Sequence, residues 1–159
     1  MKQTIFLRLE PGPEQHQTLL DTVRAFHATC TAIAARARAA RAASVMALDA
    51  LADDTLRTQV LLPGPLALRA MLLTEERYRS SPDAQPTFPA DGPIPLDEAI
   101  ASFQGLTHFS LLTFSGRIVV PFIINRVEPA EKNTTRGQAQ LSYHDNQWIV
   151  AITLETDKV

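Results

Sequence analysis

The sequence predicts an α+β fold: a small antiparallel barrel or sheet interrupted by an inserted run of about three helices. Three observations lead there. The chain opens on a β-rich segment, continues in apolar residues spaced by three and four to about residue 80, and returns after a proline-rich stretch to alternating, β-branched segments. Its 159 residues, 45% hydrophobic and 20% charged, are the size and composition of one compact domain, which excludes a disordered or collagen-like chain.

Residues 3–9 (QTIFLRL) place Ile5, Leu7 and Leu9 on one face and Phe6 and Arg8 on the other, a strand stopped by Pro11, Gly12 and Pro13. From Glu14 the residues Leu19, Leu20, Val23, Phe26, Cys30, Ile33 and Ala37 form a helical stripe that continues to about Ala43. Residues 46–62 allow a second helix ending at the Pro63-Gly64-Pro65 breaker, and residues 66–79 resume the period as a third. Residues 80–95 hold five of the 11 prolines and read as an extended connection. At least four strands follow: FSLLTF and RIVVPFII around Ser115-Gly116, then QAQLSYH and QWIVAITLE around Asp145-Asn146. Two hairpins are marginal alone, so the first strand is expected to complete their sheet, making the helices an insertion. The expected organisation is residues 1–12 plus 105–159 for the β part, 13–81 for the helical insertion and 82–104 for the connection.

The sequence carries few of the patterns that catalysis requires. A net charge of −2 gives no global positive field. One cysteine, Cys30, on the apolar stripe, leaves no disulfide framework or cysteine-rich zinc site and reads as a buried thiol in a reducing compartment. The acidic pairs Asp53-Asp54, Glu75-Glu76 and Asp97-Glu98 read as solvated faces, the last at a helix N-terminus, and not as a converging metal set. His16, His27, His108 and His144 lack metal-ligand spacing, and no phosphate loop, dinucleotide fingerprint or nucleophile elbow occurs. No catalytic residue, metal or cofactor is therefore assigned. No segment has the length of a membrane span, and a cytoplasmic protein is expected.

What stands out is arginine, which makes up every basic residue except Lys2, Lys132 and Lys158. Between Val23 and Met46 the helix carries Arg24, Arg36, Arg38 and Arg41 and no acid, the best candidates for phosphate contact. Arg69 and Arg117 are weaker candidates. Trp148, in phase with Val150 and Ile152, reads as core.

Five segments in order resemble the N-terminal portion of the OrfB/TnpB family, transposon-encoded RNA-guided DNA endonucleases related to type V CRISPR effectors. They are Phe6-Leu7-Arg8-Leu9 with Pro13-Glu14-Gln15, FHATCTAIAA from Phe26, Leu62-Pro63 through Tyr78-Arg79, FSLLTFSGRIVVPF, and GQAQLSYHDNQWIVAITLE. The resemblance implies a wedge-like β-barrel interrupted by a helical recognition segment, working on a guide RNA and a target DNA. In that family a RuvC-like nuclease and a zinc ribbon follow the last of these strands. The expectation is thus a truncated or split member, binding nucleic acid through Arg24, Arg36, Arg38, Arg41, Arg69 and Arg117 and not an enzyme by itself. The alternatives are an interaction module that completes a separately encoded nuclease half, and a degenerate gene remnant.

Overall fold

The computed structural model describes residues 2–39, 62–80, 88, 92–130 and 139–155. The chain divides into two units, one made of residues 1–19 and 93–159 and the other of residues 20–92.

The first unit is a seven-stranded antiparallel sheet curled into a half-barrel. Its strands are β1 (Lys2–Leu9), β2 (Ile94–Leu96), β3 (Ala101–Gln104), β4 (His108–Thr113), β5 (Gly116–Pro129), β6 (Ala139–His144) and β7 (Gln147–Glu155), in the spatial order β2-β6-β7-β1-β5-β4-β3. The first strand lies at the centre, as its role in completing the sheet requires. Leu7 faces Val150 on β7 and Ile124 on β5, and Leu9 faces Trp148 and Phe122. Directly paired residues share a face. The inner face therefore gathers Leu7, Leu9, Val120, Leu141, Trp148 and Val150, all buried.

Local chemistry sets each joint. Asp145 and Asn146 both adopt positive φ (50° and 62°), as a two-residue hairpin turn whose twist suits the flanking strands demands. Gly116 (φ 114°) opens β5 after a turn in which Thr113 Oγ1 donates to the Gly116 carbonyl (2.6 Å). On β5 the register slips opposite Phe6 and Leu7: Arg126 pairs with Phe6 and Ile124 with Leu7, leaving Asn125 as a bulge. The slip puts Arg126 on the outer face, where its guanidinium lies 4.2 Å from the centre of the Phe6 ring.

The span expected as a plain connection also contributes to the sheet. Ile94 and Leu96 are buried and pair with β6, with Pro95 between them. Proline is tolerated because β2 is an edge strand, where the missing N–H faces no neighbour. Asp97-Glu98 begins no helix: Asp97 Oδ1 accepts from the backbone N–H groups of Ala99 (2.9 Å) and Ile100 (3.1 Å), a side-chain-closed turn into β3.

Helix α1 (Pro13–Ala39) starts with Pro at its first position, where no intrahelical N–H is needed, and Glu14 complements the positive end of its dipole. In the second unit its residues Phe26, Cys30, Ile33 and Ala34 are buried, as are Leu66, Ala67 and Ala70 of α2 (Gly64–Ser80). Small side chains let the helices approach closely. Cys30 Sγ lies 3.5 Å from the Ala70 carbonyl, and Tyr78 Oη donates to the Ala34 carbonyl (2.9 Å). The helix expected over 46–62 falls almost wholly on residues outside those described, as does the extension of α1 beyond Ala39.

Glu75 departs from its expected solvated role. It is 3% exposed, one position past Thr74 on the stripe that buries Ala67, Ala70 and Tyr78, and Arg79 one turn later approaches its carboxylate at 3.8 Å. Its neighbour Glu76 is exposed.

Candidate nucleic-acid interface

Arg24 is exposed on α1 and Arg36 is half-buried on the same helix. Twelve residues of helix separate them by about 18 Å and turn them about 120° apart, so they do not converge on one phosphate. Arg38 lies in α1, but its side chain is outside the described part, and Arg41 lies outside the described residues altogether. Arg69 is half-buried in α2, and its Nε is buried without a hydrogen-bond partner among the described residues.

Arg117 is occupied. Its Nη1 donates to Ser110 Oγ (3.0 Å) and its Nη2 to the Ala99 carbonyl (2.8 Å), stapling β5 to β4 and to the turn before β3. Two of its five donors thus serve the sheet.

Sequence reasoning missed a cleft at one end of the half-barrel. Its volume is about 290 Å³, and Arg8, Glu10, His16, Asn146, Gln147 and Trp148 line it. Three local structures build it. The end of β1 carries Arg8 and Glu10, an ion pair at 3.4 Å with side chains 35% and 50% exposed. The β6–β7 turn delivers Asn146 and Gln147. The first turn of α1 delivers His16, and this turn is held to the sheet by Gln15, whose Nε2 donates to the Val119 carbonyl (2.8 Å).

Trp148 and the imidazole of His16 form part of the cleft wall. Trp148 is buried, and its Nε1 donates to His16 Nδ1 (2.9 Å), so the neutral imidazole carries its proton on Nε2. Tyr143 lies against Trp148 with ring centres 4.6 Å apart and against His16 at 5.4 Å. One signal for this arrangement was in the sequence: a core Trp needs a partner for its indole N–H, and a polar residue near the start of α1 is one way to supply it.

Among the described residues no group of three or more His, Cys, Asp or Glu side chains could hold a metal ion. His27 is buried, its Nε2 2.7 Å from the Gly92 carbonyl and its ring edge-on to Phe26. Cys30 is fully buried, and desolvation pushes its thiol from 9.0 up to about 11. A native-state thiol assay at pH 8 is therefore expected to find Cys30 unreactive over minutes, and reaction on adding denaturant. The same shift makes stability fall as pH rises from about 9 to about 11, because the unfolded thiol loses its proton first. Urea melts across that window check the sign.

No protein-family model matches the chain, and no curated protein matches it. No helix among the described residues is long and apolar enough to cross a membrane.

Proposed function

We propose that the chain is a nucleic-acid-binding module of the OrfB/TnpB type, contacting a guide RNA and its target DNA in the cytoplasm, and that it is not an enzyme by itself. The supporting observation is architectural: β1 lies between β5 and β7, and the helices are inserted between β1 and β2. That is the interrupted barrel the sequence resemblance implies. Arg24, exposed on α1, and Arg36 are the described basic groups of the inserted part that would meet phosphates, joined by Arg38 and Arg41.

A filter-binding titration with structured RNA at 50 and 200 mM salt tests this reading. Four phosphate contacts lower the affinity by roughly a hundredfold across that range, and Arg24→Gln lowers the slope by about one unit. Absent binding, or binding insensitive to salt, rejects the proposal.

A second reading, docking onto a separately encoded nuclease half, has its own observation. Ile124 and Val127 share the inner face with Leu7 and Ile5, yet they are 63% and 49% exposed. Apolar surface on the core side of a sheet suits a protein partner. Restored cleavage on mixing with such a half, together with no RNA binding by the chain alone, favours this reading over the first.

A further inference from the structure

The charge balance of the cleft narrows what it can hold. Arg8 is paired with Glu10 at 3.4 Å, and His16 Nδ1 is already engaged as the acceptor of the Trp148 indole N–H. The cleft is therefore no simple anion trap. It offers donors from Arg8 and from the amides of Asn146 and Gln147, and acceptors from Glu10 and the same amides. Its volume of about 290 Å³ lies at the lower edge of the ~300–1,000 Å³ range of small-molecule pockets, and Trp148 and the His16 ring form part of its wall. A small, planar, neutral ligand with donors beside acceptors fits that description, and an unpaired nucleobase is such a ligand.

Among the bases, guanine satisfies the Arg8–Glu10 pair most fully. Its N1–H and N2–H groups are adjacent donors that one carboxylate can accept together, and its O6 and N7 are adjacent acceptors for one guanidinium. Adenine offers Glu10 only its N6 amino group, cytosine only its N4 amino group, and uracil only N3–H. We propose that the cleft between the end of β1, the first turn of α1 and the β6–β7 turn binds a single unpaired guanine, with Glu10 and Arg8 reading its edge. The proposal deepens the nucleic-acid reading by naming a base-specific subsite, and it rests on that reading only for the source of the base.

Trp148 is the only tryptophan of the chain and sits in the cleft wall, so its fluorescence reports occupancy. Titration of the full chain with guanosine is expected to change that emission saturably. Adenosine, cytidine and uridine are expected to bind roughly ten- to hundredfold more weakly, and excess inorganic phosphate to displace nothing. Glu10→Gln, at a half-exposed position, is expected to weaken guanosine by a similar factor with the thermal melt unchanged, and Arg8→Gln provides a second such variant. No response to guanosine, equal response to all four nucleosides, or displacement by phosphate overturns the proposal. An oligouridylate carrying one guanosine, compared with one carrying none, identifies the source: a gain confined to the guanosine oligomer places the base in a single strand. If guanosine binds and that oligomer does not, the cleft is a free-nucleoside site and the assignment of guanine stands. Structured RNA that binds steeply with salt while guanosine does not bind leaves the nucleic-acid reading intact and removes this subsite.

Discussion

Trp148→Ala is expected to lower the stability of the half-barrel by about 3–5 kcal/mol, the usual cost of deleting a large aromatic side chain from a packed core. The residue is 2% exposed, faces Leu9 across the β1–β7 pair and stacks on Tyr143. Trp148→Phe separates packing from hydrogen bonding. It keeps most of the apolar volume and removes the bond to His16 Nδ1 with part of the ring system, so a loss of about 1–2.5 kcal/mol is expected, the hydrogen-bond share softened because water reaches the half-exposed imidazole. Urea midpoints of the two variants give the comparison. Equal losses would mean that the His16 bond, and not burial, holds this end of the sheet.

Phe26→Ala is expected to cost a similar amount, about 3–5 kcal/mol, in the helical unit. Phe26 is fully buried on α1, one turn before Cys30, on the stripe that also buries Ile33. A whole domain is stable by only ~5–15 kcal/mol, so this loss should melt the helices well below the wild-type temperature in circular dichroism at 222 nm. Phe26→Leu, which nearly conserves volume, is expected to cost less than ~1.5 kcal/mol. A Phe26→Ala protein with an unchanged helical melt would show that the stripe is not the core of this unit.

The elements with strong periodic signals were legible in the sequence. The alternation of Leu7 and Leu9, the stripe through Phe26 and Cys30, and the Asp145-Asn146 turn each state one local preference that the fold satisfies. Strands β2 and β3 were not, because three residues centred on a proline, or four residues in all, leave too short a window for any period to emerge. Glu75 was misread because a carboxylate can occupy a buried stripe position when a cation lies one turn away, and sequence shows the phase of that stripe only approximately. The cleft was invisible for a different reason. Arg8 and His16 lie close in sequence, but Asn146 is far along the chain, and only the β1–β7 pairing brings its turn beside them. The arginines, by contrast, were conspicuous as a cluster, yet Arg117 serves the sheet and Arg24 and Arg36 point to different sides of one helix.

The central position of β1 has a consequence for synthesis. Thr4 meets Thr153 across 149 residues of chain, and the other flank of the strand is β5, made only after α1 and α2. A ribosome therefore releases β1 first and must finish β7 before that strand is enclosed on both sides. Until β5 emerges both flanks of β1 lack a strand partner, and until β7 emerges one still does, while the local contacts of the helices are free to form. β1, made before the other strands of this sheet, is thus fully paired only once β7 is complete, and stalling before β7 would leave one of its edges open to pairing with other chains.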